Sequence, residues 1–126
     1  MMEDVRLMFE LAPDLFRRAP DAMIVVDQTG EIRVVNEQAL ILTGWAETDL
    51  LHRKVEELVP EGLRAAHEDH RAGYVQDPHT RAMGSGMDLE LVRRDGTTVP
   101  VEINLAMVTT TIHEPMTITV IRRRQG

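Results

Sequence analysis

Two stretches constrain this chain more than any other: "AMIVVDQTGEIRVVN" at 22–36 and "MDLELVRRDGTTVPVEINLAMV" at 87–108. In each, two apolar or alternating runs are joined by a short polar turn containing glycine, the pattern of a β-hairpin. "AMIVVD" (22–27) is apolar on both faces, as a central strand would be, and "EIRVVN" (31–36) is its expected partner. Asp95-Gly96 predicts a tight turn in which both central residues take positive φ. Beyond it Val99, Val101, Ile103, Leu105 and Met107 fall on one face of a strand. Pro100 has no N–H to donate, which predicts a sheet edge or a bulge there. "MTITVI" (116–121) supplies one more strand.

Between the hairpins the period lengthens. Asn36 is placed to cap a short helix, "EQALILTG", that stops at Gly44. Short helical pieces follow through 49–58, and Pro60 opens a longer helix reaching about Gln76. At the other end, Val5, Met8, Phe9, Ala12, Leu15 and Phe16 recur at three- and four-residue steps and make one apolar stripe on a helix over 3–18. Pro13 is expected to kink or interrupt it. The order is helix, two strands, several helices, three strands: an α+β domain at 19–126, with helices on one face of an antiparallel sheet, preceded by an amphipathic helix at 1–18.

A length of 126 residues fits one domain, and 43% hydrophobic against 28% charged residues suffices for a core. The net charge of −7 argues against a nucleic-acid partner, whose phosphates demand a basic face. Cysteine is absent, which removes disulfides, thiolate metal sites and a thiol nucleophile and fits a reducing compartment. No apolar run approaches the ~20 residues that cross a bilayer, and the acidic start "MMEDV" is unlike a signal peptide. The expectation is a cytoplasmic protein with no membrane partner.

Three of the five histidines lie in "RAAHEDHRAGYVQDPHTRAMGSGM" at 64–87. His67 and His70 are three apart, so the His-Glu-x-x-His zinc motif fails. "MGSGM" is neither a nucleophile elbow nor a phosphate loop. No catalytic residue is assigned, and an enzyme is not expected. On a regular helix His67, Arg71 and Tyr74 lie on adjoining faces. His67 then has two open readings, a hydrogen-bonded structural histidine or a ligand. Met87 either fills core space or faces the same pocket. His70 and His113 are expected in solvent. Trp45 reads as packing, since Asn104 alone is thin polar support for flavin stacking.

The pieces "APDAMIVVDQTGEIRVVN", "ALILTGW", "ELVPEGLRAAH" and "RRDGTTVPVEINL" resemble the PAS sensory domain family over residues 19–121. His52 departs from the glycine that many relatives carry after a Leu-Leu pair, a difference that bears on the local turn. The chain ends "VIRRRQG" where relatives have Asp-Ile-Thr. The resemblance implies a five-stranded antiparallel sheet enclosing a pocket with its helices. It also implies a small-molecule ligand or cofactor, dimerisation (here through residues 3–18), and a downstream effector domain in a larger bacterial signalling protein.

Within the family, "VPEGLRAAH" is similar to the proximal-histidine helix of haem-binding domains, those of rhizobial oxygen-sensor kinases and of a bacterial oxygen-sensing phosphodiesterase. That similarity puts His67 in the proximal place and Met87 on the far side of a haem b iron; His79, after Asp77-Pro78, is a minor candidate for a propionate contact. The expected ligand or cofactor contacts are His67, Arg71, Tyr74, Met87, Leu89, Ile103 and Leu105. The rival is a ligand-free dimerisation or docking module.

Overall fold

The structure is a computed structural model that describes residues 2–69, 81–83, 89–109 and 114–124. Helix α1 (Met2–Arg17) leads into strand β1 (Ala22–Val26), which turns back as β2 (Ile32–Val35). Helices α2 (Glu37–Thr43) and α3 (Glu47–Leu50) follow, then a 3₁₀ turn at Val55–Leu58 and a second at Glu61–Leu63 that continues as α-helix over 64–69. Strands β3 (Arg81–Met83), β4 (Leu89–Val92), β5 (Thr98–Val108) and β6 (Met116–Arg123) complete the chain.

All pairings are antiparallel, in the order β2-β1-β6-β5, with β3 and β4 sharing the far side of β5. The sheet is thus five strands wide, its last edge built from two short pieces. β4 pairs with the first part of β5 (Leu89↔Val101 to Val92↔Thr98), and β3 with the middle (Arg81↔Leu105 to Met83↔Ile103). β3 is not expected from the sequence. Three residues, "RAM", cannot show an alternation, and only pairing along β5 defines them as a strand.

The strand period of two sorts residues between the faces. Opposed residues share a face, so the inner one carries Ala22, Ile24 and Val26 of β1, Leu89 and Leu91 of β4, Val99 to Met107 at odd positions of β5, and Thr117, Thr119 and Ile121 of β6. Ile24, Ile32, Leu50 and Val101 are fully buried, and each contributes about 1.5–3 kcal/mol by leaving water. Val99 and Val101 are buried, whereas Leu89, Ile103, Leu105 and Met107 of the same face are half-buried. Pro100 sits within β5 opposite Glu90. Its carbonyl accepts from Arg124 N–H (2.9 Å), so its ring nitrogen faces β6 where that ladder runs out. The expected edge is therefore the end of a neighbour.

Asn36 joins three elements. Its Oδ1 accepts from Ala39 N–H (3.0 Å), capping α2, and from Met23 N–H (2.9 Å) in β1. Its Nδ2 donates to the carbonyls of Phe16 (3.1 Å) and Asp21 (3.0 Å), tying the end of α1 to the sheet. Gly44, at φ 76°, ends α2 as expected.

Two expectations are corrected. Pro13 does not interrupt α1, which runs as one helix from Met2 to Arg17; the missing N–H removes a single bond to the preceding turn. In the 93–97 turn only Gly96 has positive φ (86°), and Asp95 does not. Gly96 N–H bonds Arg93 O (2.9 Å) and Arg93 N–H bonds Thr97 O (2.7 Å), a longer loop with one left-handed residue in place of a two-residue turn. The 27–31 turn repeats this pattern, with Gly30 at φ 90°. No helix among the described residues is long and apolar enough to cross a membrane.

Candidate functional site

His67 lies on the helix that follows Pro60, its side chain 31% exposed. Its Nδ1 is 2.9 Å from Oε2 of Glu56, whose side chain is only 5% exposed. Glu56 comes from the Val55–Leu58 turn, which is anchored on the β1–β2 side by Val55 N–H to Gly30 O (2.8 Å). Val59 N–H returns to Glu56 O (3.1 Å), and Lys54 N–H reaches Glu57 Oε2 (3.3 Å). On the other side of Pro60, Arg64 Nε donates to Val59 O (3.0 Å). The corner is therefore bonded on both sides, and the imidazole's direction follows from it. A buried carboxylate without partners is costly, and His67 is one of the partners that make Glu56 tolerable.

The inner face of the sheet carries other expected contacts. Leu89, Ile103 and Leu105, all expected contacts, share that face and are half-buried beside buried Val101. Ile103 and Leu89 pack against the main core. Thr119 opposes both Ile24 and Leu105 and is 8% exposed. Its hydroxyl has no hydrogen-bond partner among the described residues, unlike the other buried polar side chains Asn36, Thr43 and Glu56.

Arg71, Tyr74 and Met87, and with them His70, His79 and His113, lie outside the described residues. Asn104 occupies the opposite face from Ile103 and Leu105 and is exposed. Trp45 is half-buried against the core, with the Arg53 guanidinium 4.0 Å over its ring and that of Arg94 at 5.4 Å. A shallow depression of ≈ 200 Å³ opens elsewhere, between α2 and the end of β6, with Ile41, Leu42, Arg93 and Arg123 in its lining. None of its lining residues comes from the 60–69 segment.

Glu56 was not legible as a site residue. It falls in the short helical pieces expected over 49–58, and its contact with His67 spans eleven residues around a proline corner.

The sequence model of the family described as the PAS fold matches residues 3–124. The chain belongs to the PAS family. It is also 38% identical over 88 residues to "Sensor protein FixL" of Bradyrhizobium diazoefficiens, a match covering 68% of this chain and 17% of that protein. This PAS domain thus spans a small part of that relative's length. Its fold is similar to the PAS domain of an HTR-like protein from Haloarcula marismortui (TM-score 0.79, 22% identity, covering 98% of this chain and 97% of that one). It is similar too to a domain of a sensory box sensor histidine kinase/response regulator from Geobacter sulfurreducens (TM-score 0.76, 14% identity, 97% and 99% covered). It is thus a PAS domain of the kind carried by signal-transduction proteins.

Proposed function

We propose that this PAS domain is the sensing module of a larger bacterial signalling protein. It takes a small ligand or cofactor between the 60–76 helix and the inner face of the sheet, dimerises through α1, and reports through β6 to an effector domain. Haem b is the cofactor its residues fit best. The observation that carries this reading is the His67 imidazole with Nδ1 tied to a buried carboxylate, the arrangement found behind metal-bound histidines. The resemblance of "VPEGLRAAH" (59–67) to the proximal-histidine helix of haem-binding rhizobial sensor kinases supports it, as does the likeness to a Bradyrhizobium sensor protein.

In this reading His67 and Met87 would hold the iron, an imidazole–thioether pair suited to low-spin haem. Arg71 and Tyr74 are proposed as further contacts, and Leu89, Ile103 and Leu105 would supply the apolar wall. Bound haem would supply an iron whose ligation responds to redox state or a diatomic gas. The residues of the chain orient it and exclude water.

Titration of haemin into the purified protein tests the assignment. A sharp low-spin spectrum on reduction is expected, lost in His67→Ala and changed in spin state in Met87→Ala. Haemin binding equally well to His67→Ala overturns the haem reading. The exposed apolar stripe of α1 favours a second reading, a docking module without a ligand. That reading gains if the purified protein carries no small molecule by mass spectrometry and takes up no haemin.

A further inference from the structure

We infer that Glu56 is a positioning residue. It holds His67 in the Nδ1–H form, so that Nε2 is the ring nitrogen presented to whatever occupies the pocket. The choice of haemin as probe rests on the reading above; the tautomer assignment does not.

A carboxylate oxygen accepts hydrogen bonds, so the 2.9 Å contact assigns the proton to Nδ1. A neutral imidazole carries one N–H and one lone pair, and the lone pair is then on Nε2, the atom a metal or a hydrogen-bond donor requires. The donor and acceptor are not free to drift. Glu56 is buried on a turn bonded to Gly30 and Val59, and the helix bearing His67 is stapled to the same corner by Arg64. The His67 side chain is partly exposed, neither sealed nor immersed. His52 provides the contrast. Its Nδ1 is 3.5 Å from Glu31 Oε2, but its side chain is 69% exposed, so solvent competes for that contact and fixes no tautomer.

The inference is tested on the full chain without cofactor by long-range ¹H–¹⁵N correlation spectra of the histidine rings. Wild-type His67 should show a protonated Nδ1 and an unprotonated Nε2. Glu56→Met keeps the side chain's size but removes the acceptor, and should move His67 toward the Nε2–H form that free histidine favours. Glu56→Gln, which still offers a carbonyl oxygen, should fall between. Backbone amide spectra establish that each variant is folded. An Nε2–H ring in the wild type, or no change in Glu56→Met, overturns the inference.

Haemin affinity provides the second measurement. Glu56→Met should weaken it about 10- to 100-fold, with partial rescue in Glu56→Gln. If haemin binding is independent of His67, the haem reading fails, and the tautomer spectra alone then decide the role of Glu56. If binding depends on His67 but is equal in wild type and Glu56→Met, the positioning role fails and the haem reading stands.

Discussion

His52 is the one non-glycine with positive φ among the described residues, at 72°. The turn that relatives build on glycine thus keeps its left-handed backbone here, with a Cβ in a crowded position. Its N–H still bonds Ile32 O (2.8 Å), and that bond survives any side-chain change. His52→Gly relieves the strain, loses a solvent-exposed ion pair worth little, and adds chain entropy to the unfolded state. A net gain of about 0.5–1 kcal/mol is expected, read as a higher urea midpoint; a lower midpoint refutes the strain. Thr119 is the converse case, a polar group buried without a described partner. Removing such a hydroxyl while keeping shape is neutral to stabilising, so Thr119→Val should gain up to about 1 kcal/mol. A loss of that size in the same assay reveals a water or ligand bonded to the hydroxyl.

At the scale of elements, both hairpin turns use one device. Asp27 Oδ1 accepts from Thr29 N–H (2.9 Å), Thr29 Oγ1 (2.6 Å) and Glu31 N–H (3.0 Å), and Asp95 Oδ1 accepts from Thr97 N–H (3.0 Å). Partial burial pushes the Asp27 carboxyl up, but these bonds from Thr29 and Glu31, with Arg33, outweigh it and hold the group below its ordinary 3.8. A depressed carboxyl adds stability that is complete above the unfolded value and is lost as pH falls through the folded one. The stability gap between wild type and Asp27→Asn should therefore be constant near neutrality and shrink below about pH 4. Urea midpoints across an acid series measure it, and a gap that persists at the acid end rules the device out. These turns were readable because their signals are local: glycine, Asx residues and flanking alternation all lie within a few positions. The same holds for the Asn36 and Gly44 caps of α2. The β3 strand and the Glu56–His67 contact were not readable, because each is defined only by a partner distant in the chain. The positive φ assigned to Asp95 failed because dipeptide chemistry does not count loop residues.

At the scale of the whole molecule, α1 stands apart from the core. Val5, Leu7, Met8, Leu11 and Leu15 are between 45% and 69% exposed, on a sixteen-residue helix that could barely persist in water alone. The Asn36 bond to Phe16 O fixes where the helix begins its departure from the sheet but covers none of the stripe. An apolar face of this extent calls for a cover, and a second copy offers the same stripe with two-fold symmetry. Sedimentation of the full chain should show a dimer that a chain starting at Ala19 does not form. Leu15→Glu in the full chain should shift it toward monomer, because a charge then enters the apolar seam. A sheet that covered the stripe within one molecule would instead leave the full chain monomeric at high concentration, and that result overturns the dimer.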